Sequence, residues 1–300
     1  MQINMIRSDK VYQEMLELPL EKREGCFRAK ILAPFAMKYQ TQHIPLKAKY
    51  PGVFDALFLL GFMNQLPSTL SEKDRPAIDS LSSDQLWQDC QDTIKRSIGL
   101  FEQAGYDLEV EDYHFTILLG NPEKPMLQLN KGYSGDGGIP GYLMLSLLPN
   151  DYTLPRVQAA LAHECNHNVR FQFVKWNQQT TLADWVVSEG LAESFAAELY
   201  GKDLIGPWVT STSPEQLEEI KPIISSQLQL TGMAEMAPYL YGDEIAKIQG
   251  QIPVGMPYAA GYAYGYHLIQ AYLKRTGKSI IEATVTPTEE ILEATKDFWK

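Results

Sequence analysis

The chain lacks the sequence features of several large classes of protein. Three cysteines in 300 residues are an odd number spread far apart, so a disulfide framework is not expected. The most apolar run, residues 54–63, falls well short of the roughly 18 residues that a membrane-spanning helix needs. The N-terminal segment is polar and amphipathic and has no continuous apolar stretch of the kind found in secretion signals. These absences predict a cytoplasmic protein with no membrane span.

Positive charge is also scarce. The 26 Lys and Arg residues face 37 Asp and Glu residues, which gives a formal net charge of −11, and no basic cluster is longer than a pair. Proteins that bind polyanions need stripes of Lys and Arg to neutralise phosphates. The composition therefore predicts no nucleic-acid partner. Its 45% apolar residues are ample for a packed core.

Hydrophobic spacing changes along the chain near residue 110. Before that point the apolar residues recur at helical intervals, most clearly between Ser83 and Gly105. After it come short apolar runs bounded by turn residues, which are typical of strands. The candidate strands are residues 114–119, 126–130 and 142–147. A glycine-rich segment, GYSGDGGIPG, lies between the last two and is interpreted as a loop.

Helical spacing returns from Thr153 to the end of the chain. We therefore predict an α+β protein with a mainly helical N-terminal region (residues 1–110) and a second domain (residues 111–300). The second domain would contain a small mixed or antiparallel sheet packed on a long helix, followed by a helical C-terminal part.

The long helix carries a metal-binding pattern. His163, Glu164 and His167 form the sequence H-E-x-x-H. Residues four apart lie on one face of a helix, so both imidazoles can point at one tetrahedral ion. Glu164 can then act as the general base that takes a proton from a metal-activated water molecule. The alternative is a surface helix with two solvated histidines.

A third ligand is available on the next predicted helix. Glu189 lies 22 residues after His167, enough chain for a turn and a second helix packed antiparallel to the first. Glu193 is one turn further on and can accept a hydrogen bond from a ligand imidazole. Helical glutamates are usually exposed, but these lie among apolar residues and so need buried partners. We predict His163, His167 and Glu189 as metal ligands.

Two other ligand schemes do not fit the sequence. In the metzincin pattern a glycine and a third histidine follow the motif, but Arg170 and Phe173 occupy those positions. Cys165 is two residues from His163 and points to another helix face, so we interpret it as a buried small residue.

Three segments together resemble the gluzincin branch of zinc peptidases. They are residues 163–167 (HECNH), 188–193 (SEGLAE) and 261–266 (GYAYGY). They are most similar to the family of predicted zinc-dependent proteases with a YjaZ-like domain (domain of unknown function 2268). The resemblance implies a zincin-like fold, one Zn²⁺ per chain and peptide or protein substrates. It also implies that residues 142–147 form a strand with a free edge. The G-x-M-E-N-type segment of aminopeptidase gluzincins is missing between residues 110 and 160, which argues against an aminopeptidase.

Gluzincins generally place a Tyr or His donor near the oxyanion of the reaction. Residues 258–267 offer several tyrosines and one histidine, of which we single out Tyr262 and His267 as catalytic candidates. The same tyrosines can equally be core residues, with Gly261 and Gly265 allowing close helix packing.

The leading hypothesis is a zinc-dependent peptidase. Two alternatives remain open. One is a binding or regulatory protein that keeps the zinc site but turns over no substrate, although Glu164 argues against it because a structural site needs no base. The other is hydrolysis of a non-peptide amide on the same scaffold. The sequence leaves the substrate, the oligomeric state and the choice between zinc and another divalent metal undecided.

Overall fold

The protein combines a small sheet with many helices. A computed structural model describes residues 1–50 and 53–299. The strands are β1 (Gln2–Met5), β2 (Asp112–Leu119), β3 (Tyr133–Ile139) and β4 (Tyr142–Leu147). They lie in the order β1-β2-β4-β3, where β1, β2 and β4 are parallel and β3 is antiparallel to β4. The predicted α+β class with a small mixed sheet is confirmed.

Helices account for most of the remaining described chain. They are α1 (Ser8–Glu17), α2 (Leu20–Phe27), α3 (Ala36–Thr41), α4 (Ala56–Leu60), α5 (Arg75–Leu81), α6 (Asp84–Gln103), α7 (Pro125–Leu129), α8 (Val157–Phe173), α9 (Leu182–Tyr200), α10 (Pro207–Thr210), α11 (Pro214–Ser225), α12 (Met233–Tyr241), α13 (Asp243–Ile248), α14 (Ala260–Thr276), α15 (Ile280–Val285), α16 (Thr288–Ala294) and α17 (Lys296–Trp299). Within residues 1–50 and 53–299, no helix has the length and apolar character needed to cross a membrane.

The segments with the clearest hydrophobic patterns fold into the helix and strands that the sequence predicted. Helix α6 buries Trp87, Ile94 and Phe101 at helical spacing, and the chain leaves it at Gly105, whose φ of +87° suits glycine. Strand β4 has the predicted limits, and β2 begins two residues before its predicted start. These segments have one strongly buried face or a continuous apolar run, so their local pattern was sufficient.

The glycine-rich segment is a strand, so its prediction as a loop was wrong. β3 pairs with β4 from Tyr133↔Leu147 to Ile139↔Tyr142, with an irregularity after Asp136. A two-residue turn, Pro140 and Gly141, joins the strands, and the φ of +86° at Gly141 meets the need of a type II turn at that position. β4 therefore lies between β2 and β3, and the expectation that it has a free edge was also wrong.

Two further local predictions failed. Residues 126–130 were expected to be a strand, but Pro125 opens the short helix α7, where its missing N–H costs nothing and its φ is already helical. Residues 2–5 lie in the region predicted to be helical, yet they form β1 by pairing with β2. That partner is more than a hundred residues away along the chain, and local spacing does not report it.

The described chain divides into two compact units. The first consists of Met1–Arg96 with Glu109–Leu161, and the second of Ser97–Leu108 with Ala162–Lys300. The first contains the whole sheet, and the second contains helices α9 to α17. The domain boundary near residue 110 stays a prediction, because compactness does not show which parts fold independently.

In the second unit, helices α9 and α14 touch backbone to backbone. A Cβ atom placed on Gly190 would lie 2.1 Å from the carbonyl oxygen of Gly265. A Cβ on Gly265 would lie 1.9 Å from the carbonyl oxygen of Val186. Both distances are far below a van der Waals contact, so only glycine fits at either position. The glycines of the SEGLAE and GYAYGY segments therefore meet each other at this contact.

Candidate metal centre

Helix α8 brings its two histidines together. His163 and His167 are one turn apart, and their Nε2 atoms lie 3.1 Å from each other. Both side chains are buried. Two imidazole nitrogens that face each other at this distance need either a shared proton or a cation between them, because two lone pairs repel.

Glu189 completes a triangle of ligand atoms. Its Oε2 lies 3.2 Å from Nε2 of His163 and 3.3 Å from Nε2 of His167. Two ligands about 2.0–2.1 Å from a tetrahedral zinc ion are about 3.3–3.4 Å apart. All three edges of the triangle are close to that value. Among the described residues these three form the group of His, Cys, Asp and Glu side chains that could hold a metal ion, and they fit zinc by chemistry and spacing.

The capped start of α9 helps to place Glu189. Thr181 and Asp184 form a reciprocal capping box at the first turn of the helix. Six residues after Asp184, the contact between Gly190 and α14 fixes the helix laterally. Glu189 is therefore positioned by a defined helix start and by a backbone contact beside it.

Arg170 and Ser188 hold the two ligand helices together. The fully buried guanidinium of Arg170 donates to Oγ of Ser188 at 3.1 Å, and Ser188 precedes Glu189. It also donates to the carbonyl oxygens of Thr284 and Thr286 at 2.8 and 3.1 Å. Burial lowers the pKa of Arg170 to about 10, so it is still charged at neutral pH. A buried cation that is shared among oxygen acceptors fixes α8, α9 and the C-terminal end of α15 in one arrangement.

Glu193 is hydrogen-bonded to the ring of His163. Nδ1 of His163 donates to Oε2 of Glu193 at 2.9 Å, which leaves Nε2 of the neutral ring free to bind a metal. The same oxygen accepts from Nε1 of Trp208 at 2.7 Å, and Oε1 accepts from the backbone N–H of Gly206 at 2.6 Å. Glu193 is therefore a buried carboxylate with three donors.

Trp208 and Gly206 were not found by sequence reasoning. The Trp208 ring lies edge-on to the His163 ring, with centroids 5.9 Å apart. A Cβ on Gly206 would lie 2.1 Å from the Trp208 ring, so glycine is required for the indole to reach Glu193. These residues follow Glu193 across a turn and have no motif of their own, which leaves no local signal.

His167 is held in a different way. Its ring stacks parallel to Phe171, with centroids 5.7 Å apart and an interplanar angle of 2°. Its Nδ1 is buried and has no hydrogen-bond partner among the residues the structure describes. Phe171 in turn contacts the partly exposed Trp176 at 5.0 Å. On the Nδ1 side, aromatic packing rather than a carboxylate therefore restrains this ring, and the signal in the sequence was an aromatic residue one turn after His167.

The charges of the site favour a cation at its centre. Burial alone would lower the pKa of His163, but hydrogen bonds to Glu189 and Glu193 outweigh it and hold this pKa well above its ordinary value. Burial would raise the pKa of Glu189, yet the nearby imidazoles bring it down to about 2. Glu189 is therefore ionised, and the pocket stabilises positive charge.

Glu164 and Tyr262 are close enough to interact electrostatically. Both lie in the second unit, and Glu164 is buried next to His163. The pKa of Tyr262 is raised well above its ordinary value, first by burial and then by the charges of Glu189, Tyr241 and Glu164. The phenol therefore keeps its proton near neutral pH and can donate a hydrogen bond. Its ring packs beside Trp208 at 6.4 Å.

The structure does not bring His267 to this cluster. Gly265 faces α9, and His267, two residues later, points to nearly the opposite side of α14. Burial and the charge of Lys221 lower its pKa. Tyr264 is a core residue whose hydroxyl lies 3.1 Å from Oγ of Ser225. Glu193 also raises the pKa of Tyr266, after burial, whereas Tyr262 feels the charges of both Glu189 and Glu164.

The comparisons with known proteins point the same way as the geometry. A family model described as "Predicted Zn-dependent protease (DUF2268)" matches residues 86–293. The chain is similar to "Uncharacterized protein YjfC" of Bacillus subtilis (strain 168), with 33% identity over 293 residues that cover 97% of both chains. It is also similar to "Uncharacterized protein YjaZ" of the same organism, with 27% identity over 155 residues, 50% of this chain and 55% of that protein. No solved structure matches the chain.

Proposed function

Since the chain belongs to the family of predicted Zn-dependent proteases (DUF2268), we propose that it is a gluzincin-type zinc peptidase that hydrolyses peptide bonds. The observation that carries the proposal is the triangle of ligand atoms from His163, His167 and Glu189, whose edges of 3.1–3.3 Å fit tetrahedral zinc. One Zn²⁺ per chain is part of the proposal. When bound, zinc supplies a Lewis acid that polarises water and the scissile carbonyl.

Glu164 is the proposed general base. Its carboxylate follows His163 directly on α8 and is one helical step away from the ligand face. It would take a proton from the attacking water and pass this proton to the nitrogen of the leaving amine, so the carboxylate is regenerated in each turnover. Its burial excludes competing solvent from the proton it carries.

Tyr262 is the proposed donor to the oxyanion. Its raised pKa keeps the hydroxyl protonated, and a neutral phenol can donate to the oxygen that gains charge during attack. Its ring is held between Trp208 and Tyr241, at 6.4 and 6.1 Å. These ring contacts would restrain the side chain before substrate binds, which lowers the cost of reorganisation in the transition state.

His267 is a second, less favoured candidate for the donor. A cytoplasmic location is also part of the proposal. His267 was an alternative donor, but its place on the far side of α14 favours Tyr262. A cytoplasmic location is supported by three free cysteines, two of which are buried.

The test combines metal analysis with turnover. The purified chain is assayed for metal content by elemental analysis and for cleavage of a mixed peptide library by mass spectrometry. Glu164→Gln should bind one zinc per chain and lose cleavage by about 10²-fold or more, because only the base is removed. Glu198→Gln, an exposed glutamate on α9, is the matched control and should cleave like the wild type.

Each other outcome identifies a different function. Zinc binding without cleavage of any peptide by the wild type would indicate a non-catalytic binding protein or an enzyme for non-peptide amides. A panel of N-acyl amides separates those two. A chain that takes up no zinc, even after reconstitution, would refute the metal site.

A further inference from the structure

A row of exposed phenylalanines lies in the first unit, far along the chain from the metal ligands. Phe54, Phe58 and Phe62 are spaced four apart and are 45%, 49% and 48% exposed. Their rings contact one another in sequence, with centroids 5.6 and 5.5 Å apart. We call these three residues the phenylalanine ladder. Contiguous exposed aromatic groups of this kind mark interaction sites.

The middle residue of the ladder, Phe58, belongs to α4, which is apolar on both sides, while Phe54 and Phe62 flank this helix. In α4, Ala56 and Leu60 are buried, while Phe58 points outward from the same five residues. A helix that is hydrophobic all round is normally covered on all sides. The outer face of α4 therefore needs a cover, either continuously or in one functional state.

The charge around the ladder is opposite to that of the whole chain. Residues 25–71 contain five basic residues and a single acidic one, Asp55, although the chain has a net charge of −11. Arg28, Lys30 and Lys38 are occupied by ion pairs. Lys47 and Lys49 are exposed and form no ion pair within the part of the chain that the structure describes. The charge left for a partner here is positive.

Asp55 holds the segment with the two lysines beside the ladder, and its own carboxylate is buried and paired with Arg28. Its carboxylate is buried and accepts from the backbone N–H of Ala48 at 3.1 Å, between the two lysines, and from that of Phe58 at 2.9 Å. The guanidinium of Arg28 neutralises it at 2.8 Å. The N–H of Ala56 also donates to the carbonyl of Pro45 at 2.9 Å. Residues 45–49 are thus tied to the start of α4, and the acid points inward.

We propose that the phenylalanine ladder with Lys47 and Lys49 docks the protein on an anionic phospholipid bilayer. The rings would enter the boundary between headgroups and acyl chains, and the ammonium groups would lie among the phosphates. A second copy of the chain fits less well, because a symmetric dimer would set the two lysine pairs against each other. Binding would be peripheral, and the partner is a lipid surface rather than a protein.

The experiment is co-sedimentation with vesicles. Wild-type protein should bind vesicles of phosphatidylglycerol mixed with phosphatidylcholine, should not bind phosphatidylcholine alone, and should be released by salt. Lys47→Gln with Lys49→Gln should weaken binding about 30-fold, since each lysine contributes about fivefold at such a surface. Phe58→Ser should weaken it about fivefold through lost apolar burial.

Matched control variants show whether the effects are specific to the phenylalanine ladder with Lys47 and Lys49, or follow from any loss of charge or apolar surface. Lys73→Gln with Lys202→Gln removes the same charge at exposed sites elsewhere, and Ile252→Ser removes an apolar side chain that is 83% exposed. Both should bind like the wild type. The lysine variant touches no packed residue, so it remains informative if Phe58→Ser misfolds. Failure of the wild type to bind anionic vesicles, or undiminished binding by the lysine variant, would overturn the proposal. So would a wild-type dimer in sedimentation equilibrium that Phe58→Ser dissociates while vesicles bind neither protein.

Discussion

Replacing Glu193 by glutamine tests whether the tautomer of His163 is set by hydrogen bonding. The carboxylate accepts three buried donors: Nδ1 of His163, Nε1 of Trp208 and the N–H of Gly206. Glutamine has nearly the same shape but one oxygen and one NH₂ group. With its oxygen toward His163 and Trp208, the NH₂ meets the N–H of Gly206. With the opposite flip, the NH₂ meets the indole and the imidazole.

Either orientation leaves at least one buried donor without an acceptor, which costs about 1–3 kcal/mol. In the second orientation His163 accepts at Nδ1 and carries its proton on Nε2, where the metal has to bind. We therefore expect the metal-free variant to lose about 1–3 kcal/mol of unfolding free energy. We also expect zinc affinity to fall about 10- to 100-fold, the usual cost of removing the partner of a metal-bound histidine.

The assay is competition for zinc with a fluorescent chelator, alongside urea unfolding of the metal-free protein. Glu198→Gln on the same helix provides the control for a charge change without buried donors. Zinc affinity of Glu193→Gln within twofold of the wild type would refute the reasoning, whatever its stability. Loss of stability with unchanged affinity would mean that Glu193 serves the fold and does not orient the ligand.

Three further predictions concern other parts of the chain. Phe171→Ala should speed zinc release measured by chelator trapping, about tenfold, because stacking is the contact that holds His167 in place of a hydrogen bond. Gly265→Ala should cost about 3 kcal/mol or more in urea unfolding by forcing α9 and α14 apart, whereas Gly25→Ala, which meets no atom within 4 Å, should be neutral or stabilising. Asp55→Asn should destabilise the protein at neutral pH, and the difference from wild type should vanish in acid.

The sign of the Asp55 prediction follows from its pKa. Burial raises this pKa, but two backbone N–H groups and a guanidinium outweigh burial, so the folded value lies below the ordinary one of about 3.9. A carboxyl group with a lowered folded pKa stabilises the protein above its unfolded pKa, and this contribution is lost as pH falls through the folded pKa. A difference between wild type and Asp55→Asn that persisted below that range would show that hydrogen bonding to the neutral group dominates.

Features that depend on local sequence could be predicted, whereas features that depend on distant partners could not. His163 and His167 met because four residues in a helix suffice to place them, and Glu189 met them because a capped helix of predictable length carries it. The sequence did not predict strand β3 or the position of β4 between β2 and β3. Hydrogen bonding to β4 stabilises β3 as a strand although its sequence is rich in glycine. A local pattern contains no such partner.

The supporting residues were missed for a related reason. Arg170 reaches carbonyl groups more than a hundred positions later, at Thr284 and Thr286, and its role is invisible until the chain has folded. Trp208 and Gly206 each make one hydrogen bond to Glu193. Sequence patterns indicated the three candidate ligands, whereas the residues that position them depend on tertiary packing.

The contact between Gly190 and Gly265 has a mechanical consequence. A joint between two helices usually contains side chains, which can change rotamer and let the helices slide by an ångström at little cost. Here a backbone carbonyl group of one helix contacts the Cα of the other, so no side chains lie between the two helices at this point. The spacing between Glu189 on α9 and Tyr262 on α14 is therefore set by covalent geometry and van der Waals radii. Any opening and closing of the protein around a ligand has to take place elsewhere, and attempts to alter the proposed activity should leave this pair of helices unchanged.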